Sequence, residues 1–303
     1  MVGAAAYSLS EKRALITGSS GGIGKGIALA LAEQGCQALI HYHERQQGAE
    51  DTRAQIQALH QQKSSSSGRS TDSLCAGILQ CDFRSPSAIL EMMRAVDEIW
   101  PDGFDILINN AGIVSKLALQ DDDLDLATWH ETMSVNLHAP RLLSQLAVPR
   151  MMKQRKSNGD NNQSSRNRTC GVIVNVSSIH GEKSNEYVAA YAASKAALDS
   201  LTRSMAIEYS QHNIRVNSIA PGVVVVERTA DTWKVPENAQ VWTDRLPLNR
   251  LGQVDDIAQA TLTLLTNDWM TGTILTVDGG MMARANMPTV VVLDPSNQGE
   301  SAS

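Results

Sequence analysis

Residues 12–35 read KRALITGSSGGIGKGIALALAEQG, and few architectures admit that order of residues. Ala14, Leu15 and Ile16 form a short apolar run of strand character. The text after the glycines has the amphipathic spacing of a helix that stops at Gly35. A strand that turns through small residues into a helix offers backbone N–H groups and the positive end of a helix dipole, which suits a phosphate. A glycine cluster alone says little, whereas strand, cluster and helix in this order point to a dinucleotide site. The alternation then continues. Strand-like runs at 37–42 (QALIHY), 74–80 (LCAGILQ), 104–108 (FDILI), 171–178 (GVIVNVSS), the start of 213–229 (NIRVNSIAPGVVVVERT) and 271–280 (TGTILTVDGG) are separated by helical text. The helices fall at 45–62, 86–99, 124–153, 187–211 and 254–267, with Ser85 placed to cap the helix that Pro86 begins. This pattern predicts an α/β fold, a single-domain doubly wound parallel sheet of about seven strands with helices on both faces.

The chemistry concentrates between Ser178 and Lys195, SIHGEKSNEYVAAYAASK. On a helix, Tyr191 and Lys195 share one face. A tyrosine hydroxyl titrates near ~10 and exchanges protons poorly at neutral pH; a nearby ammonium favours its phenolate. A shift to ~7 needs roughly 4 kcal/mol of preferential stabilisation, which Lys195 and a cationic cofactor ring could supply. Ser178, arriving from a strand end, could hold a carbonyl oxygen beside the phenol, making an acid/base site for a carbonyl or alcohol. Tyr-x-x-x-Lys is also a common accident on helices, and its weight comes from the segments before it. Tyr187 has no lysine four positions on, which favours Tyr191.

The glycine spacing, T-G-x-x-x-G-I-G over Thr17, Gly18, Gly22, Ile23 and Gly24, resembles the short-chain dehydrogenase/reductase family. So do Asn109-Asn110-Ala111-Gly112 after the fourth strand, the Asn-x-x-Ser ending at Ser178, the Tyr-x-x-x-Lys pair, the Pro221-Gly222 turn and the closing VDGG. The resemblance spans about residues 10–283, with members like 3-oxoacyl-carrier-protein reductases and glucose dehydrogenases. It implies Ser178, Tyr191, Lys195 and Asn136 as the catalytic set, with Asn136 holding a water that relays protons to the lysine. It implies a cofactor site of Gly18, Ser20, Gly22, Ile23, Gly24, Asp82 and Phe83 near the adenine, Asn110, Ala111 and Gly112, then Tyr191 and Lys195. Pro221, Gly222, Val224 and Thr229 would lie over the nicotinamide. The family's frequent acid at the end of the second strand is replaced by Tyr42, and His43 and Arg45 could face a 2′-phosphate. Gly21 stands where a basic residue is frequent, yet the balance favours NADP(H) over NAD(H). His41 reads as a strand-end residue without a role.

One domain is expected over 1–283, with flexible insertions at about 63–73 and 153–169, a substrate lid at about 223–250 and a tail at 284–303. The two tryptophans of the lid, Trp233 and Trp242, could be core plugs or substrate walls. A net charge of −6 and 4% aromatic content argue against a nucleic-acid surface. No run has transmembrane length, and the start carries no secretion signal, so no membrane partner and a cytoplasmic setting are expected. Cys36, Cys75, Cys81 and Cys170 lack paired spacing and read as reduced thiols. Glycosylation-like triplets at Asn162, Asn167 and Asn175 then carry no meaning. No metal is expected, because His41 and His43 lack a third ligand nearby, and the acidic run 121–123 reads as a helix entry. The partner expected is a small-molecule carbonyl or alcohol substrate, and the resemblance suggests a homotetramer or homodimer built partly through the long helices at 124–153 and 187–211. A carrier-protein reductase is an alternative, although no basic cluster stands out in 227–250 beyond Arg228, Lys234, Arg245 and Arg250. A catalytically silent dinucleotide-binding scaffold is another.

Overall fold

The central strands are apolar on both faces and need cover above and below. In the computed structural model, which describes residues 7–67, 77–116, 119, 126–157 and 169–284, that cover is helical. The strands are β1 (Arg13–Ile16), β2 (Gln37–Tyr42), β3 (Ile78–Gln80), β4 (Ile106–Asn109), β5 (Gly171–Val176), β6 (Ile214–Pro221) and β7 (Ile274–Val277). They form one parallel sheet ordered β3-β2-β1-β4-β5-β6-β7. The helices are α1 (Gly22–Glu33), α2 (Gln46–Ser67), α3 (Pro86–Ile99), α4 (Ala127–Met133), α5 (Ala139–Ser157), α6 (Ala189–Tyr209), α7 (Ala230–Trp233), α8 (Pro236–Thr243) and α9 (Val254–Thr266).

Alternate residues of each strand serve opposite cores, as the pleat requires. Ile16, Ile40, Ile108 and Val174 pack beneath Ile27 and Leu31 of α1, Ile56 of α2 and Leu264 of α9. Leu15, Leu39, Leu107 and Ile173 face Met93 of α3, Leu143 of α5 and Met205 of α6. The α1–α9 contact is close because residue 26 is glycine; a Cβ there would collide with Val254. The chain runs outward from β1 to β3, then crosses back to β4 on the other side of β1. The carboxyl ends of β1 and β4 therefore border the crevice where such sheets bind ligands.

Several boundaries differ from the sequence expectation. α2 continues through Ser67, so residues 63–67 of the expected loop are helical and 68–73 lie outside the described residues. α5 continues to Ser157, so the expected insertion starts inside a helix; its residues 158–168 lie outside the described residues, as do the acidic run, Cys75 and residues 285–303. The single helix expected over 124–153 is broken by a π-turn, Ser134–His138. Pro140 has no N–H to return to the carbonyl of Asn136 four residues back, as a regular α-helix would require. Asn175 is fully buried in β5 and donates to Thr202 Oγ1 at 2.8 Å, so the folded chain offers it to no glycosylating enzyme. Among the described residues no helix is long and apolar enough to cross a membrane.

Candidate active site

The glycine turn is held from below by β2 and β4. Gly18 and Gly22 have φ of 61° and 56°, a region open to glycine. A Cβ on Gly18 would lie 2.8 Å from Ala111 Cα, and one on Gly24 would strike the Asn110 side chain and the Gly18 carbonyl. Thr17 Oγ1 accepts from the amides of Asn110 and Ala111, both at 2.9 Å, while Asn110 Nδ2 donates to the carbonyls of Thr17 and Gly18 at 2.8 and 3.0 Å. His41 contributes what its sequence position does not announce. Its Nδ1 accepts from the Gly18 amide at 2.9 Å, which leaves Nε2–H to donate to the Cys81 carbonyl at 3.1 Å. Its ring stacks on Phe83 at 4.2 Å, so the Phe83 ring belongs to the core under the turn. Burial pushes the imidazole down to about 4, and it stays neutral.

The first turn of α1 has amides without helical partners. One of them, Gly22 N–H, donates to Glu227 Oε2 at 2.7 Å. Glu227 also lies 3.9 Å from Lys25 Nζ. Burial raises its carboxyl, but the Gly22 amide, its own amide, Lys25 and Arg45 outweigh that and hold it below the usual glutamate range. An acid 205 positions away thus covers the glycine turn, and no motif marks it.

At the end of β2, Tyr42 packs against the core. His43 is half-buried, with Nε2 3.7 Å from Asp82 and 3.4 Å from Arg84. Arg84 Nε bonds both Asp82 oxygens at 2.9 and 3.0 Å and holds that carboxyl below its usual range. Arg45 reaches the glycine turn, where its Nη1 would lie 3.0 Å from a Cβ on Gly21. His43, Arg45 and the unanticipated Arg84 are thus basic side chains around this corner, with Ser20 and Ile23 at its edge, half-buried.

The catalytic candidates converge from three elements. Ser178, just past β5, is 7% exposed, and its Oγ accepts from the His180 amide at 3.2 Å. Tyr191, near the start of α6, has its phenol close enough to this hydroxyl for Ser178 to favour the phenolate. Tyr187, by contrast, is 57% exposed. Lys195 is buried, its Nζ donating to the Val176 carbonyl at 2.8 Å and standing 5.7 Å from the centre of the Tyr191 ring. Burial pulls the ammonium down to about 8 against the opposing field of Asp199. Asn136 sits in the π-turn; its Oδ1 accepts from Ile113 N and its Nδ2 donates to Ile113 O, both at 2.9 Å, with Ser194 Oγ at 3.1 Å. A Cβ on Gly112 would lie 3.3 Å from Asn136 Oδ1 and 3.5 Å from Lys195 Nζ, so these three are neighbours. Burial raises the Tyr191 pKa, and the Ser178 hydrogen bond and the Arg228 charge only partly oppose it.

Pro221 ends β6, and a Cβ on Gly222 would come within 2.8 Å of Asp278 Cα. Val224 pairs with Gly252 in a lone bridge. Thr229 Oγ1 bonds the Val226 carbonyl and accepts from Trp233 Nε1 at 2.9 Å, so it organises its own turn. A cavity of about 690 Å³ opens beside Ser178, walled by Ile179, Gly222, Trp242 and Met281. Of the two tryptophans, Trp242 is the cavity wall. Among the described residues no cluster of His, Cys, Asp or Glu could hold a metal.

A family profile described as enoyl-(acyl carrier protein) reductase matches residues 18–282. The chain is 34% identical over 284 residues to a 2-dehydro-3-deoxy-D-gluconate 5-dehydrogenase of Bacillus subtilis (strain 168), covering 92% of this chain and 98% of that one. Among solved structures it resembles an acetoin dehydrogenase from Enterobacter cloacae, with TM-score 0.74, 30% identity and coverage of 92% and 98%. It also resembles the Pseudomonas aeruginosa RhlG/NADP active-site complex, with TM-score 0.76, 26% identity and coverage of 91% and 98%.

Proposed function

Since the chain belongs to the short-chain dehydrogenase/reductase family, we propose that it is an NADP(H)-dependent oxidoreductase of small ketones and secondary alcohols, working through Ser178, Tyr191, Lys195 and Asn136. The observation that carries the reading is Ser178 on the wall of an open cavity with the Tyr191 phenol close to its hydroxyl and a buried lysine near that ring. The bare turn at Gly18, Gly22 and Gly24, where added Cβ atoms at 18 and 24 would clash, fits a dinucleotide. When bound, the nicotinamide supplies or takes the hydride.

The chain's own residues handle the proton. In reduction, the Ser178 hydroxyl holds the carbonyl oxygen, and Tyr191 O–H protonates that oxygen as the alkoxide forms. Oxidation runs the same transfer in reverse. Burial holds the Tyr191 hydroxyl above the ordinary tyrosine range, which suits the donor role. Lys195, charged below about 8, stabilises the phenolate left behind. Asn136 is fixed by both of its Ile113 bonds, positioned to hold a relay water next to Lys195.

His43, Arg45 and Arg84 support NADP(H) as the preferred cofactor, received with Ser20, Ile23, Asp82, Phe83, Ala111 and Gly112 about the dinucleotide and Pro221, Gly222, Val224 and Thr229 over the nicotinamide end. Free buried thiols at Cys36, Cys81 and Cys170 support a cytoplasmic setting. Ile207 on α6 is 76% exposed, which supports a homodimer or homotetramer joined through that helix.

The test is Tyr191→Phe with NADPH and a panel of small ketones. Turnover should fall by at least a thousandfold while NADPH affinity stays within about twofold. Retained turnover would remove Tyr191 from the mechanism, and absence of turnover in the native protein would favour a silent scaffold.

A further inference from the structure

The cavity beside Ser178 has an unbalanced charge. Its lining includes Lys183, Arg245 and Arg284 against a single carboxylate, Asp244. That carboxylate accepts from the side-chain amide of Gln240 on α8. Arg284 Nη1 donates to the Asp244 main-chain carbonyl at 2.6 Å, which fixes the guanidinium at the rim without neutralising it. Lys183 and Arg245 engage no acid among the described residues. Elsewhere on the surface several exposed cations are paired, Lys234 with Asp231 at 2.7 Å, Arg250 with Asp256 at 2.7 Å and Arg84 with Asp82 at 2.8 Å, whereas the cations of this cavity share one wall. A chain with 32 acids and 26 bases does not lack carboxylates to pair with. Arg228 adds its field at Tyr191 from the same segment of chain. Like charges left together around a concave wall repel one another, and the ligand that relieves them is an anion.

We propose that the substrate of this site bears a carboxylate or phosphate, held by Lys183, Arg245 and Arg284 while its carbonyl or hydroxyl carbon lies at Ser178. Ser184 and Asn185 also line the wall and offer hydrogen bonds to hydroxyl groups. The compound is therefore a short, hydroxylated oxo acid or sugar phosphate, or the corresponding alcohol. A guanidinium can grip either anion with two parallel hydrogen bonds, and the lysine adds a point charge. The inference rests on the oxidoreductase reading for the placement of the reacting carbon, but the anion site itself does not depend on turnover.

The experiment is calorimetric binding to the NADPH-loaded protein with three six-carbon probes: D-gluconate, D-glucitol 6-phosphate and neutral D-glucitol. At least one anion should bind about tenfold or more tightly than glucitol, and whichever does so separates carboxylate from phosphate. The advantage should shrink with salt. Lys183→Gln with Arg245→Gln should abolish it, with NADPH affinity and thermal midpoint unchanged as evidence of folding. Equal binding of glucitol, no anion binding at millimolar concentration, or an advantage that survives the double substitution would overturn the proposal. Reduction of an acidic carrier protein with no binding of the small anions would overturn it as well. Loss of charge selectivity with NADPH-dependent turnover intact condemns only this inference. Charge-selective binding without turnover of any ketone or oxo acid condemns only the oxidoreductase reading.

Discussion

Replacing Glu227 by glutamine should tighten NADPH binding. The Glu227 carboxylate sits on the Gly22 amide at 2.7 Å, at the helix start that receives a diphosphate in a dinucleotide site. A phosphate entering there meets a negative charge at roughly 4 Å. Two unit charges at ~4 Å repel by about 1 kcal/mol in water and by about 4 kcal/mol at an effective dielectric near ~20. The Glu227 side chain is 52% exposed, so the lower part of that range applies, about 1–2 kcal/mol. At 1.4 kcal/mol per decade this is roughly a 5- to 30-fold lower Kd. Glutamine keeps the length of the side chain and an oxygen for the Gly22 amide, so the segment should stay in place. The assay is NADPH fluorescence titration of both proteins across a salt series. The gap should narrow as ionic strength rises, because the repulsion is screened. An unchanged or raised Kd in Glu227→Gln would show that the carboxylate does not oppose the cofactor.

Acid should destabilise the protein through His41. Its folded pKa, about 4, lies below the unfolded value of 6.5, so the contribution is complete above 6.5 and is lost as pH falls toward 4. The full loss is about 3 kcal/mol, at 1.36 kcal/mol per unit, readable by urea unfolding at pH 7 and near pH 4.5. His41→Asn, whose Oδ1 can replace Nδ1 as acceptor, should flatten that slope, and an equal slope would discharge His41. Tyrosinate absorbance near 295 nm, compared between the native protein and Tyr191→Phe, should show Tyr191 ionising above the ordinary tyrosine range without cofactor, since burial raises it. Oxidised cofactor should bring that ionisation down; a low value already present in the free protein would contradict the buried, unactivated phenol.

What the sequence made legible was mostly local. Pro86 behind Ser85 marks the start of α3, and the Ser85 hydroxyl does accept from Ala88 N at 3.3 Å. The order of apolar runs gives the sheet, because a strand buried on both faces has little room for polar text. Residues that act through distant partners stayed hidden. His41 supports Gly18 across 23 positions, and its role depends on a neutral ring that only burial creates. Glu227 follows a run of four valines and looks like any lid residue until folding places it over Gly22. The direction of the Tyr191 shift was likewise invisible. Spacing shows that Lys195 is near, but not that its ammonium is turned toward the Val176 carbonyl.

The π-turn at Ser134–His138 makes this stretch sensitive to length rather than to composition. Its wider ring carries one residue more than an α-turn, so a deletion there would change the register between α4 and α5. Each residue of an α-helix advances by about 100°. Residues on one side of the deletion would therefore swing by that angle relative to the other, and Asn136 could not keep both Ile113 and Ser194 of α6. Surface connections absorb such changes at the ends of elements, whereas here the count itself is structural.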